Sequence, residues 1–247
     1  MINPQSLSLL NTKYNCLGSY SDFLSAFLKR GYTFKKFREP QDKNGQIVLR
    51  HDIDFDISFA YKAALVEKQL GIQSTFFFLL RSEFYNPFSK PNFDLIKAIQ
   101  HMGHDISIHF DPSIYDDFKE GFIEEITYFK HVFNTEIDII SIHRPNDFFQ
   151  NHDEPIANIP HTYQKKYFKD IKYFADSTGA WRFGNPIESE EFSNLHSIHL
   201  LTHPIWWFVE GNNNLEILTE HFSQKKTSLK QYFYDNSIPF RKISDHV

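Results

Sequence analysis

The sequence predicts an α/β protein that folds as a distorted (β/α) barrel with about six or seven parallel strands. Two observations lead to this prediction. Short apolar runs alternate with longer amphipathic stretches, and titratable residues stand where the apolar runs end. With 247 residues the chain is long enough for one such domain with a large buried core. We therefore expect residues 1–247 to form a single domain, with residues 1–45 as an N-terminal helical extension.

Apolar and amphipathic periodicity places the individual elements. The predicted strands are Gln46–Arg50, Ser74–Leu80, Asp105–His109, Ile137–Ile142, Lys172–Ala175 and Ser197–Leu201. The predicted helices are Ser19–Arg30, Ile57–Leu70, Asn92–Met102, Asp116–Phe133 and Asn214–Tyr234. Gly71 and Gly103 end two of these helices, and Pro91 precedes one of them. Strands separated by helices imply right-handed crossovers and a parallel sheet. Residues 146–169 fit no element and predict a long loop with short turns.

Composition excludes several classes of function. The net charge is −5 and Lys or Arg occur together only in short pairs, so we expect no nucleic-acid partner. Cys16 is the only cysteine, which excludes an internal disulfide and a zinc site built from cysteines. No secretion signal or apolar run of about 20 residues is present, so we expect no transmembrane segment and a cytoplasmic location. The 27 Phe, 12 Tyr and 3 Trp predict an aromatic core or a groove that stacks on sugar rings.

Polar, titratable side chains gather at the carboxyl ends of the predicted strands. In parallel α/β folds this end of the sheet forms the active site. The residues concerned are Asp52, Asp54, His109, Asp111, His143, Arg144, Asp176 and His203. Their recurrence at five strand ends predicts one shared site.

Asp52 and Asp54 are the first pair in this set. In an extended chain their side chains project from the same face, so both carboxylates reach one small volume. Two close carboxylates repel each other unless a cation lies beside them, and a metal ion with a general base resolves that repulsion. With His109, the ligands become a mixed imidazole and carboxylate set, which suits zinc better than calcium or magnesium.

The remaining strand-end residues predict supporting roles. Arg144 can hold a carboxylate through two hydrogen bonds, and Asp176 can in turn hold Arg144. His203 suits a general acid that changes charge near neutral pH. Trp206 and Trp207 follow it closely, and their rings are about equally suited to a sugar platform and to a core contact at the barrel rim.

With these residues in place, the chain resembles the polysaccharide deacetylase family (carbohydrate esterase family 4, the NodB-homology fold). The resemblance spans roughly residues 47–204, and its motifs occur in the family's order. They are Leu49 to Asp54, Gly103 to His109, His143 to Pro145, Asp176 with Trp181, and Leu201 to Pro204. Sequences with the same variant motifs, Arg-His-Asp-x-Asp and His-Pro-x-Trp-Trp, look like proteins of surface-polysaccharide biosynthesis. This agrees with the expected cytoplasmic location. The resemblance implies one NodB-like deacetylase domain.

Two departures from the family pattern affect the expected site. The family's first motif has adjacent aspartates, whereas Ile53 intervenes here, so Asp52 is assigned as the base and Asp54 as a metal ligand. The family's second motif has two histidines four residues apart, and Ser113 occupies the second place here. A third metal ligand is then expected from His143, Asp111 or His51, in that order of preference.

The resemblance implies a metal-dependent hydrolase that removes an acetyl group from an N-acetylated sugar or its carrier-linked form. Asp52 would act as the base, His203 as the acid, and Arg144 with Asp176 would keep Asp52 ionised and oriented. Trp181, Trp206 and Trp207 would contact the sugar. Two alternatives remain open. One is a metal-dependent amidohydrolase acting on a non-sugar amide, and the other is a catalytically degenerate barrel that binds carbohydrate or serves as a scaffold.

Overall fold

The computed structural model describes residues 16–39 and 44–244. The strands in these residues are β1 Thr33–Lys35, β2 Gln46–Ile53, β3 Thr75–Phe78, β4 Asp105–Phe110, β5 Ser141–Ile142, β6 Lys172–Ala175 and β7 Ile198–Thr202. The α-helices are α1 Tyr20–Arg30, α2 Ile57–Leu70, α3 Lys90–His101, α4 Phe118–Phe133, α5 Asp147–Asn151, α6 Lys165–Phe168, α7 Glu190–Asn194, α8 Ile205–Phe208, α9 Asn214–Asn236 and α10 Ile238–Ser244. Short 3-10 turns lie at Pro112–Ile114, Ser177–Gly179 and Pro186–Glu188.

The named strands form one sheet in which every pairing between them is parallel, as predicted from the alternation of strands and helices. The strand order is β5-β4-β3-β2-β7-β6. Strand β1 pairs with residues 46–48 of β2, and β3 pairs with residues 50–53 of the same strand. Strand β2 is therefore central, and its carboxyl end lies between β3 and β7.

The sheet is strongly curled. The Ser141 hydroxyl on β5 donates a hydrogen bond to Asp52 Oδ2 on β2 at 3.0 Å, although β3 and β4 lie between these strands. In a flat sheet three strand spacings would separate them by about 14 Å. Apolar side chains fill the inside of the curl, namely Phe37, Val48, Phe77, Ile139 and Tyr167. The prediction of a distorted barrel is therefore confirmed.

Local sequence explains where the helices around the sheet begin and end. Helix α1 starts after Ser19, whose hydroxyl accepts a hydrogen bond from the Asp22 backbone, and it ends at Gly31, where φ is 103°. Helix α2 starts after Asp56, which accepts from the Ser58 backbone, and ends at Gly71. Both glycines adopt the left-handed conformation that side chains disfavour.

Three segments differ from the elements predicted for them. The strand predicted over Ile137–Ile142 is reduced to the two residues of β5, because the backbone of Ile140 pairs instead with the loop at Pro160 and Thr162. Strand β1 was not predicted. It lies in the segment expected to be a helical extension, of which residues 1–15 and 40–43 are outside the described residues. The long loop predicted over residues 146–169 contains the short helices α5 and α6.

Candidate active site

Three side chains that could hold a metal ion converge at the carboxyl end of the sheet. Asp54 follows β2, His109 lies in β4, and His143 follows β5. His109 Nε2 lies 3.3 Å from Asp54 Oδ1 and 2.9 Å from His143 Nδ1. His143 Nδ1 lies 3.5 Å from Asp54 Oδ1. The structure thus brings together the three residues that the sequence predicted as metal ligands.

The cluster has the spacing and the ligand types of a site that could hold a divalent metal ion. Tetrahedral zinc with bonds near ~2.1 Å holds its ligand atoms about 3.4 Å apart, close to the distances found here. Burial and the neighbouring His109 lower the pKa of His143, which favours the neutral imidazole that binds metals. Burial alone would raise the pKa of Asp54. The hydrogen bond with His109 and the charges of His109, His203 and His143 instead hold it well below its usual range.

Asp52 is buried beside this cluster, on the inner face of β2. Its Oδ2 atom accepts the hydrogen bond from Ser141 and lies 3.4 Å from Nη2 of Arg50. Arg50 is itself buried, and its guanidinium carbon lies 5.2 Å from the ring centroid of Tyr163 and 5.7 Å from that of Tyr173. The guanidinium of Arg50 therefore faces the carboxylate expected to act as a base.

The predicted role of Arg144 is not supported, because Arg50 takes the place beside Asp52. Arg144 is exposed, has a left-handed backbone with φ of 48°, and lies at the mouth of the cleft. Strand alternation could have identified Arg50, since it lies two residues before Asp52 and so shares the inner face of β2 with it.

His203 lies on the other side of the metal-ligand cluster. Its Nδ1 atom is 2.7 Å from Asp176 Oδ1, and its Nε2 atom is 3.8 Å from Asp54 Oδ2. Asp176 is completely buried and also accepts hydrogen bonds from the His203 backbone N–H, at 2.9 Å to Oδ1, and from Trp207 Nε1, at 2.7 Å to Oδ2. Asp176 therefore binds His203, whereas the sequence predicted that Asp176 would hold Arg144.

The environment of His203 keeps it protonated. Burial alone would lower its pKa, but the hydrogen bond and charge of Asp176, with the charges of Asp54 and Asp52, raise the pKa to about 9. At neutral pH the imidazolium form therefore dominates. A protonated Nε2 facing the cleft is the state required of a general acid.

The three tryptophans predicted to contact a sugar occupy different positions. Trp206 lines the cleft with a side chain that is mostly buried. Trp207 is 1% exposed, and its indole N–H donates a hydrogen bond to Asp176. Its ring is therefore buried behind Asp176 and does not line the cleft. Trp181 is half-buried and stacks on Phe23 at 5.2 Å between ring centroids.

His51 and Asp111, the other candidates for the third metal ligand, lie outside the cluster. The alternation of β2 turns His51 away from Asp52 and Asp54, and its Nε2 atom lies 2.7 Å from Oε1 of the buried Glu67. Asp111 accepts a hydrogen bond from the Ser113 backbone N–H at 2.9 Å and so caps the 3-10 turn Pro112–Ile114. His51 as a metal ligand is therefore wrong, and Asp111 is engaged in a local turn.

All these elements surround one cleft of about 950 Å³. Its floor carries Asp52, Asp54, His109, His143 and His203. Its rim carries partly exposed apolar side chains, including Phe84, Ile114, Phe183 and Leu218. A polar floor under an apolar rim can bind a ligand of several rings and place one polar group on the floor.

No protein-family model matches the chain, and no curated protein matches it in sequence. Among solved structures, the chain is similar to the Streptococcus pyogenes deacetylase PplD in complex with acetate, at 12% sequence identity. The match covers 90% of this chain and 93% of that chain, with a TM-score of 0.40. No helix among the described residues is long and apolar enough to cross a membrane.

Proposed function

We propose that the protein is a metal-dependent hydrolase that removes an acetyl group from an N-acetylated sugar during polysaccharide biosynthesis or modification in the cytoplasm. The observation that carries the proposal is the Asp54, His109 and His143 cluster with Asp52 on one side and His203 on the other. This arrangement supports an active site over a degenerate barrel. The sugar substrate is supported by the resemblance of the motifs to those of polysaccharide deacetylases.

A divalent ion held by Asp54, His109 and His143, with zinc favoured by these donors, would supply Lewis-acid activation to the acetyl carbonyl and the attacking water. Asp52 would take the proton of that water. Arg50 and Ser141 hold one oxygen of Asp52, and its Oδ1 atom has no hydrogen-bond partner among the described residues. One acceptor atom is therefore left for the proton.

His203 would give its proton to the departing amine of the sugar. Asp176 binds Nδ1 of His203 and so turns Nε2 towards the cleft floor. The same contact stabilises the imidazolium before the transfer. Base and acid thus contact different members of the metal-ligand cluster, since Asp52 Oδ2 lies 3.9 Å from His109 Nδ1 and His203 Nε2 lies 3.8 Å from Asp54 Oδ2.

The test is acetate release from a panel of N-acetylated sugars by the purified chain, before and after removal of divalent ions by a chelator. We expect release that is lost on chelation and restored by zinc. Asp52→Asn should lower kcat by about 10²- to 10⁴-fold while metal content is retained. Acetate release at the normal rate by this variant would contradict the role of Asp52. Cleavage of non-sugar amides without acetate release from any sugar would contradict the substrate.

A further inference from the structure

Residues 222–244 form an arm that projects from the folded domain. We define the C-terminal arm as residues 222–244, which comprise the second part of α9 and all of α10. Every residue from 226 to 236 is exposed. Their side chains form hydrogen bonds along the helix itself, such as Thr227 to Ser223 and Ser228 to Gln224. Beyond the ion pair of Lys225 with Asp56 at the start of the arm, residues 226–236 are therefore held by their helical structure and not by packing on the sheet.

An apolar stripe runs along α9 into this arm. Leu215, Leu218, Phe222, Leu229 and Phe233 follow one another at intervals of three, four, seven and four residues, which places them on one face of the helix. Phe222 is 71% exposed and Leu229 is 57% exposed. The side of α9 that packs on the domain is a different one, marked by the buried residues Ile217 and His221. The stripe is thus left uncovered by the described part of the chain.

The arm continues this apolar surface beyond α9. Tyr232 is 63% exposed and Ile238 is 64% exposed. Phe240 of α10 contacts the ring of Phe233 with 5.6 Å between centroids, so the two helices present a joined aromatic surface. Side chains of this kind are favoured at the boundary between the headgroups and the acyl chains of a bilayer.

Positive charge accompanies the stripe. The arm contains five Lys or Arg residues, namely Lys225, Lys226, Lys230, Arg241 and Lys242, against the single acid Asp235, whereas the whole chain has a net charge of −5. Lys226 and Lys230 lie on one side of the line from Phe222 to Leu229, whereas Lys225, on the other side, forms an ion pair of 2.6 Å with Asp56 of the domain. The opposite face of the helix carries polar residues, such as Gln224, Thr227 and Gln231, together with the acid Glu220. An apolar stripe bordered by Lys226 and Lys230 matches a bilayer with an apolar interior and anionic headgroups.

We propose that the C-terminal arm docks the protein onto a bilayer containing anionic lipids, with the stripe in the interface and the lysines at the headgroups. A second copy of the chain fits the arm less well, because pairing two arms would bring two surfaces of the same positive charge together. The first part of α9 also borders the cleft, whose lining includes Asn214 and Leu218. Docking through the stripe therefore places the mouth of the cleft beside the bilayer.

Sedimentation of the full chain with lipid vesicles tests this proposal. Vesicles of phosphatidylcholine alone are compared with vesicles of phosphatidylcholine and phosphatidylglycerol at low and high salt. We expect binding to the anionic vesicles that weakens as salt rises. Leu229→Ser with Phe233→Ser should weaken binding by about tenfold or more. Lys226→Glu with Lys230→Glu should weaken it similarly and flatten the salt dependence.

Ile123→Ser on α4 is the matched control, because Ile123 is 54% exposed and lies outside the arm. It should bind like the unchanged chain. Equal binding to both kinds of vesicle, or unchanged binding by the Leu229 and Phe233 variant, would overturn the proposal. So would sedimentation equilibrium that shows a dimer dissolved by that variant, since a second copy would then cover the stripe. Acetate release from a soluble sugar should be the same in all these variants, which separates this test from that of the proposed function.

Discussion

The proposed metal site depends most on His143. Ser113 occupies the position of the second motif histidine in the polysaccharide deacetylase family, which the sequence resembles. His143→Ala should lower zinc affinity by more than about 100-fold, since it removes one of three protein ligands. Asp111→Ala should leave the affinity nearly unchanged, because Asp111 caps a turn and is not part of the cluster. Zinc titration of the purified variants measures both. The reverse ranking would make Asp111 the third ligand.

Asp176 sets the protonation of His203, so its replacement should change the pH dependence of the reaction. The pKa of His203 is raised to about 9, and the acid is therefore available below that pH and lost above it. Asp176→Asn removes the charge that raises this pKa, so the alkaline limb of the kcat profile should move to lower pH, towards the ordinary histidine value of about 6.5.

The measurement is kcat against pH for both proteins loaded with the same metal. Trp207→Phe is a suitable control, because it removes one hydrogen bond to Asp176 but leaves its charge on His203. An alkaline limb at the same pH in the Asp176→Asn variant would show that another group titrates there. The same linkage affects stability. A raised pKa of His203 stabilises the fold below about pH 6.5, and this contribution is lost as the pH rises through about 9.

The site residues show how far the sequence predicts the positions of individual side chains. Asp54, His109 and His143 were identifiable because polar residues at the ends of parallel strands meet at one edge of the sheet. The strand-end position of Arg144 predicts only that it holds a carboxylate, and the motif resemblance implies that this carboxylate is Asp52. Which guanidinium reaches the carboxylate depends on the curl and on side-chain direction, and these place Arg50 there. The sequence leaves a sugar platform and a core contact open for Trp207, because its burial depends on the packing of α1 over α8.

A buried polar network joins helix α2 to the central strand β2. Glu67 of α2 is completely buried, accepts a hydrogen bond from Tyr20 at 2.6 Å, and lies 2.7 Å from His51 Nε2. His51 in turn contacts Thr202 at the end of β7, with 2.7 Å between Nδ1 and Oγ1. The network therefore fixes the two residues that directly precede Asp52 and His203.

Glu67→Leu should lower the free energy of unfolding by about 3–5 kcal/mol, because it leaves Tyr20 and His51 buried without their partner. Glu124→Leu on α4 is the control. Glu124 is 61% exposed in its ion pair with Arg81, so the loss should stay below about 1 kcal/mol. Urea denaturation measures both. Equal small losses would mean that the network contributes little beyond packing.

Elements with strong periodicity were predicted well, and weakly paired elements were not. Helix α2 has the predicted bounds, because Gly71 ends it and its apolar residues recur at helical spacing. Strand β5 is much shorter than the apolar run that predicted it. Apolar content requires burial but not strand pairing, and the loop near Pro160 takes up the backbone of Ile140. Strand β1 has three residues, too few to show the alternation that identifies a strand.

For the whole molecule, the parallel sheet followed from the sequence, whereas the strand order and the open edge between β5 and β6 did not. The order depends on which strands meet across crossovers, and no local pattern records this. The curl brings β5 close to β2 and so assembles the site. It depends on the cluster of Phe37, Val48, Phe77, Ile139 and Tyr167 that fills the inside of the sheet.

Phe77→Ala tests how strongly this inner cluster supports the molecule. Phe77 is fully buried on β3, at the position that pairs with Asp52 of β2, so its removal leaves a cavity directly beside the base. The free energy of unfolding should fall by about 3–5 kcal/mol. Tyr128→Ala on α4, where the side chain is 56% exposed, should cost about 1 kcal/mol or less. Urea denaturation of the two variants measures both losses in the free energy of unfolding. If Phe77→Ala cost no more than Tyr128→Ala, the outer helices and not the filled interior would maintain the curl.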